Sequence, residues 1–349
     1  MMFKRLFSTS TVVRGKKLLT FPGQGQPVEK TFVQELSQKY DLESYFKSLK
    51  KQISSSFVQN VQSPSDDFYL STSNTQPSIV SLSLLTLEIL KKHHGIDLIK
   101  DSDYTMGHSL GEYTSLCINN VFQHNQDQIL WLVRQRGVLM EEALAHSKNQ
   151  YGMTALVFPA MNYEDVEVLL THALKETSSV AVANINSTQQ IVISGIKSEL
   201  EQVVNFVKER SNIKRRLRVF PLSVTTPFHN PLLQSSKDKF RGIINEKFNI
   251  DRESRLQLPI ISNFDGQVSY THGEALDKFI DDFINPVQFK DSIENAIKDL
   301  GVNTVWNIGP NGHVNQGNIG KTDIEKKLET NQSISNIEDF ETFVENYNK

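Results

Sequence analysis

With 349 residues, the chain has room for one large domain carrying an inserted one, or for two domains. A formal net charge of −3 and a hydrophobic fraction of 38% describe an ordinary soluble globular protein and exclude any global pull toward nucleic acid or anionic membrane, so a basic docking surface has to be local. A single cysteine, Cys117 in an apolar run, excludes an intrachain disulfide framework and reads as a buried, inert thiol; no uncharged apolar run reaches the length of a bilayer span.

From Met1 to Val28 there is no acidic residue, while Lys4, Arg5, Arg14, Lys16 and Lys17 are basic. Ser8, Thr9, Ser10 and Thr11 add hydroxyls, and Phe3, Leu6 and Phe7 form one apolar side of a short helix. Basic, hydroxyl-rich and amphipathic without acids is the pattern of a mitochondrial transit peptide addressed to the matrix; a secretory signal would need a continuous apolar core. Residues 1–17 are therefore expected to lie outside the fold.

The fold proper is expected to begin with the short buried strand Lys17-Leu18-Leu19-Thr20-Phe21, running into Pro22-Gly23-Gln24-Gly25-Gln26, where two glycines let the backbone approach another group closely. A helical stretch to about residue 51, a polar segment over 54–75 and a helix apolar nearly all round over 79–90 follow. Tyr104-Thr105-Met106 is a short strand, Gly107 to Glu112 a sharp turn, and Tyr113 begins a helix, the strand–turn–helix grammar of a parallel sheet. The next segment alternates differently. Strand 153–158, helix 163–175, strands 180–185 and 190–194, helix 199–209 and strand 215–222 give the order βαββαβ, the ferredoxin-like pattern. With α/β segments on both sides, this predicts a small domain, 151–222, inserted into a large one built from 18–150 and 223–349. Buried strands are expected at 258–261 and 302–308, and a closing helix at 337–347.

Three features carry chemistry. Gly107-His108-Ser109-Leu110-Gly111 has nucleophile-elbow spacing, in which a strained turn lifts a serine hydroxyl out of the sheet. The Leu110 N–H then sits at a helix N-terminus, where the dipole favours a developing oxyanion. Such a pentapeptide is a weak signal alone; its place between strand and helix strengthens it. Second, Arg136 shares an apolar helix stripe with Ile129, Leu132, Val133, Leu139, Met140 and Ala143, whereas Arg134 points the opposite way. A guanidinium aimed into a core needs an anion: either an internal carboxylate, as a structural salt bridge, or a ligand carboxylate gripped by two parallel hydrogen bonds. Third, His229 lies in the Pro-bearing loop Thr225-Thr226-Pro227-Phe228-His229, as a surface histidine or as the general base to Ser109. His108 reads as packing within the elbow; His93, His94, His124 and His313 have no supporting context. No metal-ligand spacing and no phosphate-cradling loop stands out, so neither metal nor cofactor is expected.

Phe21-Pro22-Gly23-Gln24-Gly25-Gln26, Gly107-His108-Ser109-Leu110-Gly111-Glu112, Arg136-Gly137-Val138-Leu139-Met140, Pro227-Phe228-His229 and Asn285-Pro286-Val287-Gln288-Phe289 occur in this order. Together they resemble the malonyl-CoA:acyl carrier protein transacylases, here with a presequence of the kind seen in organellar fatty acid synthesis. The likeness covers about residues 18–310, including the insertion. It implies an α/β-hydrolase-like large domain with a parallel sheet core, with malonyl-CoA and a phosphopantetheinylated acyl carrier protein as partners. Ser109 would carry the acyl group, with His229 as its base and the Gln24 and Leu110 N–H groups as the oxyanion hole. Arg136 would hold the malonyl carboxylate. Gln288 would orient His229 through its main-chain carbonyl, making a dyad with no acid. Carrier proteins of this type are acidic, which gives the cluster Lys208, Arg210, Lys214, Arg215, Arg216 and Arg218 a docking role, centred on Arg216 and Arg218, beside its plainer reading as a solvated face. Two departures matter: the stretch Asn311 to Gln316 is more polar than is usual for the family, and two extra residues after the elbow make Arg134 a rival to Arg136. Other classes fit less well. A serine hydrolase or thioesterase of the α/β-hydrolase kind calls for an acid and a late histidine, and a non-catalytic carrier-protein-binding module would have lost Ser109, His229 or Arg136.

Overall fold

The structure, a computed structural model, describes residues 15–26, 28–65, 67–159, 161–210, 216–322 and 324–347, the side chain of His124 apart. The chain enters as β1 (Lys16–Phe21), whose run Leu18 to Phe21 is fully buried, as a strand inside a two-faced parallel sheet must be. Lys16, expected outside the fold, opens this strand, and Lys17, the residue expected to open it, is its second. Lys16 Nζ donates to the Tyr104 hydroxyl at 3.0 Å, and Lys17 Nζ lies 4.9 Å from the Trp306 ring centre. Basic character alone does not separate a targeting residue from a strand lysine whose stem runs along aromatic surface. The rest of the basic segment, residues 1–14, falls outside the described residues.

Helices α1 (Phe32–Lys39), α2 (Glu43–Gln52) and α3 (Ser55–Gln62) follow. The single helical stretch expected here is two helices. A third lies in the segment read only as polar, where the Ser54 hydroxyl caps it by accepting from the Phe57 N–H at 3.1 Å. The long apolar helix is α4 (Thr72–His94), longer at both ends than expected and buried over most of its length, with Glu88 and the last turn exposed. Ser78, Ser83 and Thr86 return their hydroxyls to carbonyls four residues back, which satisfies polar groups inside a core helix. After α5 (Leu98–Asp101) come β2 (Tyr104–Gly107), α6 (Leu110–Ile118) and α7 (Ile129–Glu142). Helix α7 passes so close to the start of α4 that a Cβ on Gly137 would overlap the backbone of Thr72 and Ser73. Glycine is what lets this turn of α7, with Arg136 on it, approach that closely.

A second unit comprises β3 (Tyr151–Val157), α8 (Tyr163–Leu174), β4 (Ala181–Ile185), β5 (Gln190–Ile196), α9 (Lys197–Arg210) and β6 (Arg218–Pro221). Its antiparallel sheet has the order β4-β5-β3-β6, and its own core includes Leu156, Phe158, Val166, Leu170, Ile193 and Val203. It is tied to the rest of the chain by two backbone hydrogen bonds of 2.9 Å, from Ile185 N–H to Val287 O and from Val287 N–H to Ala183 O.

The chain continues through α10 (Gln234–Lys247), β7 (Arg255–Ile261), β8 (Val268–Thr271), α11 (His272–Asp281), α12 (Phe289–Lys298), β9 (Val302–Ile308), α13 (Gly312–Ile319), β10 (Thr330–Ile334) and α14 (Ile337–Asn346). The large sheet has the order β10-β9-β1-β2-β7-β8, parallel except for β8. Strands β8 and β10 were not expected from sequence; both are short, partly polar edge strands with little apolar signal. The fold is thus mixed α/β, a largely parallel sheet plus a separate antiparallel one. β1 lies between β9 and β2, so the chain leaves it on one side and returns on the other, opening a crevice at the carboxyl ends of the strands. The parallel register sets Phe21 opposite Gly107, which brings Pro22-Gly23-Gln24 alongside His108-Ser109-Leu110.

Candidate active site

The turn after β2 is strained. Ser109 has φ 52° and ψ −109°, in the left-handed half of backbone space that a side-chain-bearing residue seldom occupies. A Cβ on Gly111 would overlap the Phe21 carbonyl, so the elbow can press against β1 only with glycine there. Asn263, just past β7, clamps both sides of the turn. Its Oδ1 accepts from the Ser109 N–H at 2.5 Å and its Nδ2 donates to Gly107 O at 2.6 Å. Asn263 is held in turn by Glu112, whose carboxyl accepts from the Asn263 N–H at 2.8 Å and the Ser262 hydroxyl at 2.9 Å. Neither partnership is legible in sequence, because the partners lie about 150 positions apart and bear no spacing signature.

Burial pushes the Glu112 carboxyl up to about 7 despite those hydrogen bonds. The sign of its effect on stability follows. Between its unfolded and folded values the unfolded chain ionises freely while the folded one holds its proton, so stability falls as pH rises toward 7 and stays reduced above, by up to roughly 3 kcal/mol. Glu112→Gln retains an acceptor for the Asn263 N–H and offers an N–H₂ to the Ser262 hydroxyl. It should raise Tm at about pH 8 and leave it unchanged at about pH 5. A lower Tm at pH 8 would mean that the ionised carboxylate is what holds the elbow.

His229 reaches Ser109 from the loop after β6. Its Nε2 lies 2.6 Å from Ser109 Oγ, and the residue itself has φ 54°. The neighbouring Asn230 anchors the loop by donating to the Ser179 and Ser194 carbonyls at 2.9 and 3.0 Å. With 2% exposure, the imidazole is pushed down to about 3, chiefly by burial, and is neutral at working pH. Its Nδ1–H donates to the main-chain carbonyl of Asp282 at 2.7 Å, leaving Nε2 free to accept the serine proton.

One expectation is corrected here. The orienting carbonyl belongs to Asp282 and not to Gln288. The Gln288 carbonyl is occupied by the Ser292 hydroxyl at 2.7 Å, at the start of α12, while its N–H donates to Asn263 O at 2.7 Å. A carboxyl lies nearby, with Asp282 Oδ2 3.5 Å from His229 Nδ1, but neither of its oxygens makes a hydrogen bond, so a main-chain carbonyl remains the orienter as expected.

Arg136 faces the same cleft and is 2% exposed. Its guanidinium carbon lies 4.5 Å from the Phe283 ring centre and 5.4 Å from that of Phe279. Among the described residues no carboxylate comes within ion-pair distance of it, and its Nε has no hydrogen-bond partner. Burial lowers its pKa to about 10, so it stays charged. A structural salt bridge is therefore missing its second half. The rival Arg134 is half-buried and does not line the cleft.

The cleft is lined by Gln24 and Gln76 of the large unit and by Asn184 and Asn186 of the small unit. Leu110 N–H opens α6, and neither it nor the Gln24 N–H has an acceptor among the described residues. His108 Nε2 pairs with Asn186 Oδ1 at 2.7 Å and its ring packs on Phe289, so it joins the two units. The divergent polar stretch also has a place. Asn315 donates to Phe21 O at 2.9 Å, and Asn311 and Asn318 line the cleft.

The profile of the acyl transferase domain family matches residues 42–342. The chain belongs to the acyl transferase family. A malonyl CoA-acyl carrier protein transacylase from Staphylococcus aureus (strain MSSA476) is 30% identical over 332 residues, 95% of this chain and 99% of the relative. One from Bacillus subtilis (strain 168) is 31% identical over 259 residues, 74% of each. Among solved structures, the malonyl CoA-acyl carrier protein transacylase of Clostridium perfringens superposes with a TM-score of 0.78 at 27% identity, covering 95% of this chain and 97% of that one. A malonyl-transacylase solved with its type II PKS acyl-carrier protein superposes at 0.80, covering 95% and 99%; at 24% identity it speaks for the fold of this acyl transferase.

Proposed function

We propose that this chain moves malonyl from malonyl-CoA to the pantetheine thiol of an acyl carrier protein through a malonyl ester on Ser109. The observation that carries the reading is the unpaired Arg136 guanidinium in the same cleft as the Ser109–His229 pair. Ser109 Oγ attacks the thioester carbonyl as its proton passes to His229 Nε2. The Gln24 and Leu110 N–H groups face the oxyanion. The CoA thiolate leaves with the proton from His229, and the carrier's thiol repeats the sequence in reverse. Arg136 holds the malonyl carboxylate throughout, by two parallel hydrogen bonds.

Intact-mass measurement after mixing with malonyl-CoA tests this: one malonyl on a peptide containing Ser109, stable until a carrier protein is added. Continuous release of malonate without acceptor would instead indicate the hydrolase reading, to which the acid beside His229 gives some support.

The small unit reads as a ferredoxin-like insertion over 151–222, from its βαββαβ order, and the large one as hydrolase-like, from its elbow after a parallel strand. Arg216 and Arg218 are exposed at the start of β6, whose chain continues into the His229 loop; Lys214 and Arg215 lie outside the described residues. This position supports carrier docking there. Charge reversal at both arginines should raise KM for the carrier several-fold and flatten its salt dependence. Transfer unchanged across ionic strength would remove the patch from the docking surface. The acid-free N-terminus supports residence in the mitochondrial matrix. Because β1 needs Lys16 and Lys17, the deletion that tests import is residues 1–14, and import of that truncated form would refute it.

A further inference from the structure

The polar stretch that opens α13 has no part in the reaction as proposed, yet two of its asparagines reach back to the loop that follows β1. Asn315 is 1% exposed, and its Nδ2 donates to Phe21 O at 2.9 Å and to Thr20 Oγ1 at 3.3 Å. Asn311, just before the helix, donates through Nδ2 to Gln26 O at 3.3 Å. Phe21 and Gln26 are the two ends of the segment that carries Gln24 into the cleft. Between those ends the backbone has little of its own to fix it. Gly23 and Gly25 flank Gln24, and the Gln24 side chain is held only by two contacts of 3.4 Å, to Thr72 and Gln76. The placement of the Gln24 N–H therefore depends on what holds the ends.

The hold at Phe21 is more than the filling of an empty acceptor. Phe21 O already accepts from the His108 N–H at 2.9 Å, so Asn315 is not needed to satisfy it. That carbonyl is where the loop meets the elbow, and a Cβ on Gly23 would come within 2.6 Å of His108 O. Asn315 is itself backed by a chain of polar groups. The Thr20 hydroxyl donates to Asn307 Oδ1 at 2.6 Å, and Asn307 Nδ2 donates to Asn331 Oδ1 and Gln332 O, both at 3.0 Å. The anchor thus runs from the edge strand β10 through β9 to the end of β1. An oxyanion donor lowers a barrier only if it is in place before the charge develops, and a backed anchor serves that need.

We propose that Asn311 and Asn315 are positioning residues for acyl transfer: they fix the ends of the Phe21–Gln26 segment and so hold the Gln24 N–H where the oxyanion forms. The inference rests on the reading of that N–H as an oxyanion donor. With their Nδ2 groups committed to main-chain carbonyls, the two side chains act through the loop.

The test uses the full-length protein and malonyl-CoA isotopically labelled at the thioester carbonyl. Two readouts are taken: single-turnover acylation by rapid-quench intact mass, and the infrared carbonyl band of the Ser109 ester. In the wild type the band should lie below that of the same ester in unfolded protein, because hydrogen bonds to a carbonyl lower its stretching frequency. Asn315→Leu keeps the size and removes the donor. It should shift the band upward and slow acylation by roughly 10–10²-fold, less than the cost of losing an oxyanion donor outright. Asn311→Gly keeps the left-handed backbone without strain and should shift the band the same way, with acylation slowed roughly three- to tenfold; it decides the matter if the leucine variant does not fold. Affinity for malonyl-CoA, measured on the Ser109→Ala background, should stay within about twofold, since ground-state contacts are untouched. A purely structural role predicts a lower Tm with the ester band of the folded protein unmoved. A wild-type band that is lowered, but unchanged in the folded variants, would overturn the proposal and leave the oxyanion hole standing. A wild-type band that is not lowered would remove the oxyanion role of Gln24 itself, and this inference with it.

Discussion

Ser109→Ala leaves no covalent acyl-enzyme, and His229→Ala slows acylation of Ser109 by roughly 10²–10⁴-fold. Among the described residues the serine hydroxyl has one base within reach, the Nε2 at 2.6 Å, and the Asp282 carbonyl fixes the tautomer in which that nitrogen is the acceptor. Burial depresses the imidazole to about 3, so it remains a base where an ordinary histidine would be protonated. Single-turnover acylation should therefore not decline as pH falls from about 7 to about 5. Rapid-quench intact mass on wild type and both variants measures each of these. A stable acyl-enzyme on Ser109→Ala would remove the nucleophile assignment, and an acid limb centred near 6.5 would mean an imidazole far more hydrated than this one.

Arg136→Ala should reduce malonyl transfer by roughly 10²–10³ in kcat/KM, matching the roughly 3–5 kcal/mol typical of stripping one partner from a buried ion pair. Acetyl transfer should hold or improve, because a buried cation facing a methyl group is no longer stranded. Arg136→Lys should recover only part of the loss, since an ammonium does not reproduce two parallel hydrogen bonds. The guanidinium has no internal carboxylate within ion-pair distance among the described residues, so Tm should change little. Equal loss on malonyl-CoA and acetyl-CoA, with a lower Tm, would show that Arg136 is structural and would remove most of the case for malonyl.

The parts of the site legible in sequence were those written as local pattern. Gly107 to Gly111 announced the elbow because strand, turn and helix follow one another directly. The apolar stripe singled out Arg136 over Arg134 because helical periodicity fixes which way a side chain points. The βαββαβ order could be read because each element there carries its own apolar period. What failed depends on contacts between distant positions or on atoms common to every residue. A main-chain carbonyl is chemically the same at 282 as at 288, so sequence could not say which one meets His229, and the choice fell six residues too late. Asn263 and Glu112 meet only because β7 lies beside β2. Lys16 looked like part of a basic leader because strand membership at the sheet's end leaves no mark on charge.

The loop bearing His229 is fastened to both units, through Asn230 to the Ser179 and Ser194 carbonyls and through the imidazole to Asp282. The 2.6 Å spacing between nucleophile and base therefore depends on both attachments holding. A change in the antiparallel sheet at Ser179 or Ser194 is felt one residue from the base, so the small unit sets the geometry of proton transfer without supplying a reacting atom.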